Sequence, residues 1–266
     1  MWRPIERLTR YAEAAWVDLR VALAGKTDRD APPLRLRFVG DGDFGAVGDE
    51  LADLVIEHGR VHPKSSLLDI GCGIGRVALS LARRLPREVE YEGFDVVRGA
   101  IRWCRRRITR DHPNFRFRHV SVRSSEYALF GVPAAEFRFP FPDERFDCAF
   151  AFSLFTHLTF PEMRRYLRES SRVLRPGGRL IATFFLLNEE STPRLPSLHV
   201  LYQFPVIDGP MRLADGANPA EAVAIDEQAL AAEIAAAGFR RHTVLRGQWC
   251  GRTGAATFQD LVVCEK

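Results

Sequence analysis

The stretch that most limits the fold is Leu67-Leu68-Asp69-Ile70-Gly71-Cys72-Gly73-Ile74-Gly75-Arg76. Leu67, Leu68 and Ile70 form the short apolar run of a buried parallel strand, and Val77, Ala78, Leu79, Leu81 and Leu85 then follow at helical spacing. The period changes at the glycines. Lacking Cβ, they let the backbone turn tightly and approach a ligand closely. A helix beginning near Gly75 points free N–H groups and its positive dipole end into the same space, which favours an anionic ligand group.

Loops of this kind hold nucleotides, and the spacing narrows which. The dinucleotide fingerprint is G-x-G-x-x-G, with the last glycine allowing close helix packing. Here Gly75 falls one place early and Arg76 takes the third-glycine position, which counts against NAD or FAD. Downstream, Val89 to Val97 alternates as a second strand and ends in Gly93-Phe94-Asp95-Val96. Asp95 lies about twenty residues past the loop, where an α/β nucleoside site places an acid on the ribose hydroxyls. Adjacent parallel strands bring both tips to one crevice.

The rest of the chain continues the alternation of strands and helices. Phe115 to Val120 supplies a third strand, Phe146 to Ser153 a fourth and Arg179 to Leu187 a fifth, with helices over Val47–Gly59, Arg98–Arg110 and Pro161–Leu174. Ser121 to Pro142 reads as loop. Asn188 to Ile225 has five prolines and little periodicity, so a long structureless lid is expected there. Asp226 caps an alanine-rich helix that stops at Gly238, and Phe239–Leu245 and Thr257–Cys264 alternate as two final antiparallel strands. Before the glycine loop, Pro4 to Ala24 carries apolar residues at three and four, an amphipathic helix that packs on the body of the protein or pairs two copies as a homodimer. Thr27 to Pro33 is a linker, and Phe38 to Phe44, rich in Asp and Gly, a loop closing over the site; it lacks the closing glutamate of a calcium loop.

Composition excludes other classes. Five cysteines are widely spaced with no C-x-x-C, so they are reduced thiols and form neither a disulfide framework nor a zinc site. Cys72, beside a helix N-terminus, is a small residue filling the loop. Charged residues break up the first turns and no stretch reaches about 20 apolar residues, so neither signal peptide nor membrane span is expected and the location is cytoplasmic. The net charge is +4, with arginines scattered instead of forming a stripe, so nucleic acid is not indicated.

Jointly, the Leu68–Arg76 loop, Asp95, the Phe141-Pro142-Asp143 to Phe146-Asp147 approach to strand four, and Val173-Leu174-Arg175-Pro176-Gly177-Gly178 resemble the class I S-adenosyl-L-methionine (SAM) methyltransferases. The Phe152–Leu158 stretch and the tail around Gly247–Cys250 and Phe258–Asp260 are similar to a bacterial small-molecule branch. The resemblance implies an α/β, Rossmann-like seven-stranded sheet ordered 3-2-1-4-5-7-6, strand seven antiparallel, with helices on both faces. It implies one domain: an N-terminal helix and linker to residue 40, a SAM-binding core over 41–187, a substrate lid over 188–225, and a C-terminal helix and two strands over 226–266. Asp69, Gly71, Gly73 and Gly75 would border the methionine moiety, with Cys72 and Arg76 of the same loop also cofactor-binding, Asp95 would hold the ribose and Val96 pack on the adenine. Ser121 stands where members usually carry an adenine-binding aspartate; Val122 follows it, and Ser153 would lie near the sulfonium. No metal is implied.

Methyl transfer from SAM, leaving S-adenosylhomocysteine, requires alignment of a nucleophile and exclusion of water. For a hydroxyl acceptor, an oxygen of a sugar or natural product, His157 is the candidate base, since histidine titrates near neutrality and this one follows strand four. His199 and Tyr202 are candidate substrate contacts. A NAD(P)-dependent oxidoreductase and a non-catalytic scaffold on the same fold remain the alternatives.

Overall fold

The computed structural model describes residues 32–36, 43–123, 130–197, 203–255 and 257–266. The expected N-terminal helix, most of its linker and of the Phe38–Phe44 loop, and His199 and Tyr202 lie outside the described residues.

Seven strands form the main sheet: β1 (Ser66–Ile70), β2 (Glu90–Asp95), β3 (Phe115–His119), β4 (Phe146–Ala151), β5 (Leu174–Phe184), β6 (Arg241–Leu245) and β7 (Asp260–Glu265). Their spatial order is 3-2-1-4-5-7-6, and β7 runs antiparallel to both neighbours, as the resemblance implies. β1 is buried along its whole length because it pairs with β2 on one side and β4 on the other. Its side chains alternate between two cores: Leu67 joins the cluster with Val77, Leu81 and Ile101, while Leu68 and Ile70 join Phe146, Leu167 and Leu180.

Helices α1 (Phe44–His58), α2 (Arg76–Arg84) and α3 (Arg98–Cys104) cover the first face, and α4 (Phe160–Val173) and α5 (Glu227–Ala236) the second. Their starts follow local chemistry. Asp43 caps α1 by accepting from the Ala46 N–H at 2.8 Å, and Asp226 caps α5 through Ala229 in the same way. Thr159 and Glu162 form a reciprocal capping box on α4. α3 runs on through a π-helical turn, Arg105–Thr109, which completes the expected basic helix.

The structure corrects two expectations. The Asn188–Ile225 stretch is not structureless: Val206–Asp208, Met211–Leu213 and Val223–Asp226 form a four-stranded side sheet with Leu186–Leu187, preceded by a 3₁₀ turn at Thr192–Ser197. Strands of two to four residues, broken by Gly209 and prolines, are too short to leave a readable period. The arginines are not scattered either. Arg98, Arg102, Arg105, Arg106 and Arg110 share the exposed side of α3 and its extension, beside Arg116 and Arg118 on the edge strand β3.

Candidate functional site

The C-terminal tips of β1, β2 and β4 open onto a cavity of about 510 Å³, within the range of small-molecule sites. The loop after β1 forms its floor. Gly71, Gly73 and Gly75 all have positive φ, 76°, 52° and 72°. A Cβ on Gly73 would meet nothing within 4 Å, so the backbone lies open to the cavity there. One on Gly75 would come 2.8 Å from Ile108 Cδ1 and 2.9 Å from Cys104 Sγ, so this glycine lets α2 start against the extension of α3. The loop is tied down by the Gly71 and Cys72 N–H groups, which both donate to the Phe94 carbonyl at 3.0 Å.

Two carboxylates face this floor, Asp69 buried and Asp95 half-buried. Asp95 accepts from the Gly73 N–H at 2.8 Å and the Val97 N–H at 2.7 Å, one on each oxygen. Each oxygen retains a lone pair for a ligand hydroxyl, as a vicinal diol requires. Burial raises its pKa, against the pull of those two backbone bonds. Asp69 accepts from the Tyr91 hydroxyl at 2.6 Å, and burial pushes its pKa up to about 7. Among the described residues neither carboxylate forms a salt bridge, so the floor favours a cationic or hydroxyl-bearing ligand group. Cys72 is buried and its thiol is held well above the usual range by desolvation, so it packs the loop as a small residue.

Val96, Val97, Val120 and Val122 supply apolar wall beside Asp95, as an adenine ring requires. Ser121 is placed otherwise: it is exposed, does not line the cavity, and its carbonyl accepts from the Val132 N–H at 3.0 Å. Arg76 lines the cavity with its guanidinium over the Phe44 ring. Ser153, at the tip of β4, has φ +53°, a conformation non-glycine residues rarely take. Its N–H donates to Thr183 Oγ1 at 2.8 Å and its hydroxyl to Gln259 Oε1 at 3.1 Å.

His157 ends a 3₁₀ turn after β4 and lines the cavity with Nδ1 3.0 Å from the Ala220 carbonyl. A carbonyl only accepts, so that contact assigns the proton to Nδ1 and leaves the lone pair on Nε2. Pro219 and Ala220, from the connection within the side sheet, and Leu36 and Leu51, ahead of the glycine loop, complete the wall. Sequence reasoning missed Tyr91, Gln259 and Ala220, which act through contacts across the fold. Among the described residues no three His, Cys, Asp or Glu converge as a metal site, and no helix is long and apolar enough to cross a membrane.

Sheet order and the glycine turn after β1 define a domain of the Rossmann-like class. A family model described as a methyltransferase domain matches residues 67–178. The chain is 32% identical to the methyltransferase GfsG of Streptomyces halstedii over 50% of this chain and 42% of that one. It is 29% identical to a fatty-acid O-methyltransferase of Mycolicibacterium smegmatis over 65% of this chain and 56% of that protein. The chain thus spans about half the length of these curated relatives. Among solved structures, the [4+2]-cyclase SpnF shares the fold at TM-score 0.53 and 20% identity, over 97% of this chain and 96% of that one. The residues present fit SAM, the cofactor that the resemblance implies: the buried Asp69 and half-buried Asp95, neither with a salt-bridge partner among the described residues, an open glycine floor and an apolar slot.

Proposed function

We propose that the protein transfers a methyl group from SAM to an oxygen of a small, largely apolar molecule. The observation that carries this is the convergence of Asp69, Asp95 and the glycine floor with His157 in one cavity. When bound, the cofactor supplies an electrophilic methyl group on a sulfonium. The carboxylate of Asp95 takes the ribose diol, that of Asp69 faces the cationic methionine end, and Ser153 borders the reacting side. His157, its Nδ1–H held by Ala220, offers Nε2 to take the proton from an acceptor hydroxyl. Away from the carboxylates the lining is Leu36, Leu51, Phe152, Leu154 and Pro219, which supports an apolar natural product over a sugar.

The test is calorimetric titration with SAM and S-adenosylhomocysteine. Both bind, and Asp95→Ala weakens them by about a hundredfold, the loss of two hydrogen bonds to a charged group. Binding of neither ligand, or an unaffected Asp95→Ala protein, overturns the donor assignment. Product formation from methyl-labelled SAM, screened against hydroxylated apolar acceptors, then tests His157. His157→Gln lowers kcat about a hundred- to ten-thousandfold with donor affinity unchanged; an unchanged kcat rejects it as the base.

A further inference from the structure

The edge of the sheet at β3 carries a charge that methyl transfer does not use. Arg98, Arg102, Arg105, Arg106 and Arg110 are exposed on α3 and its extension. Arg116, Arg118 and Arg123 continue the surface along the edge strand and past it. The two elements are stitched together, Arg105 Nε donating to the Phe117 carbonyl at 2.8 Å and Thr109 Oγ1 to that of Phe115 at 2.7 Å. Of the described carboxylates only Asp111 and Glu92 pair with these eight arginines, so the local excess is larger than the formal +4 of the whole chain. Arg98, Arg102 and Arg106 have no ion-pair partner among the described residues. Every cation on this edge but the histidines is arginine, whose planar fork matches phosphate oxygens.

Apolar side chains stand at the rim of the same surface. Leu34 is 42% exposed on the turn whose Leu36 lies over Gly99 of α3. Phe130 and Val132, 84% and 47% exposed, lie just before and on the short strand Val132–Pro133 that pairs with Val122–Arg123 directly after β3. Large apolar groups held in water beside unpaired arginines suit a boundary where phosphates and hydrocarbon occur together. A nucleic-acid backbone takes up the arginines and leaves Leu34 and Val132 in water. The surface also adjoins the cavity, since the exposed Arg123 and the half-buried Leu36 and Val97 line the cavity too.

We infer that this arginine edge, with Leu34, Phe130 and Val132 at its rim, docks the protein on an anionic phospholipid surface. This peripheral contact is independent of the methyl-transfer reading. The full chain, incubated with vesicles of phosphatidylglycerol and phosphatidylcholine in equal parts, co-sediments with them and not with vesicles of phosphatidylcholine alone. Binding weakens as salt shortens the screening length. Arg102→Gln and Arg106→Gln each lower the partition coefficient roughly fivefold, and Phe130→Ser lowers it by a similar factor. All three positions are exposed, so melting and S-adenosylhomocysteine binding stay as in the parent. Equal binding to neutral vesicles, no vesicle binding, or unchanged partition of the variants overturns the inference. So does binding to duplex DNA without binding to anionic vesicles, which makes the edge a nucleic-acid surface. Loss of S-adenosylhomocysteine binding by the parent protein with vesicle binding intact rejects the donor reading alone.

Discussion

At the scale of single residues, Asp69 decides how the site responds to pH. Its carboxyl titrates at about 7 in the fold, against 3.8 for an ordinary aspartate, with burial the largest cause. Between these values the folded state holds a proton that the unfolded chain has released, so Asp69 lowers stability as pH rises through this window and leaves it lower above. Asp95, also raised, acts in the same direction. Asp69→Asn therefore narrows the gap between the melting temperatures at about pH 5 and about pH 8, which a pair of thermal melts measures. Ligand binding has the opposite sign, because an ammonium group against Asp69 needs the carboxylate. S-adenosylhomocysteine binds more tightly as pH rises toward 8, and a flat calorimetric profile rejects that contact. Tyr91→Phe removes the hydroxyl that favours the ionised form, so its binding is about tenfold weaker at neutral pH and the profile moves to higher pH.

At the scale of elements, the tip of β4 shows how a distant segment sets the site. Ser153 keeps its left-handed backbone because Thr183 on β5 and Gln259, just before β7, hold its N–H and hydroxyl. Gln259→Ala is expected to lower kcat about tenfold through misplacement of this tip, while Gln259→Glu, which keeps an acceptor, retains more activity. Equal loss in both variants with a lowered melting temperature would mark a structural role only. This contact joins residues 106 positions apart, and Tyr91 to Asp69 spans 22. Neither leaves a trace in local pattern. The strand, glycine loop and helix from Leu67 were legible because each part is specified by its neighbours, and Asp95 because the second strand must end beside the first. Ser121 was misplaced for a reason of the same kind: the turn after β3 pairs with Val132, so Val122 and not Ser121 lines the cavity. The side sheet escaped notice because none of its pieces is longer than two periods of alternation.

At the scale of the whole molecule, the apolar interior of the described residues divides into three clusters, two on the faces of the main sheet and a third against the side sheet. The third gathers Phe185, Leu187, Leu195, Phe204 and Trp249. It meets the main sheet at Asp260, the buried first residue of β7, whose carboxylate accepts from the Gly247 and Leu186 N–H groups at 2.8 and 3.0 Å and from Trp249 Nε1 at 2.5 Å. Arg252 pairs with it at 3.1 Å. The other side of the side sheet, Met211, Leu213, Val223 and Ile225, packs into the cluster on the second face of the main sheet, so whether this layer opens without the rest is open to measurement. Trp249→Ala removes the largest member of the third cluster and one donor to Asp260, at a cost of about 3–5 kcal/mol. If the side sheet is a separate cooperative unit, hydrogen exchange in this variant accelerates over 204–226 and 247–252 while β1 to β4 keep their protection. The cavity then loses the wall formed by Pro219 and Ala220, and with it the partner that assigns the His157 tautomer. Uniform acceleration across both sheets would mean that they fold as one, and that the acceptor wall is as stable as the donor floor.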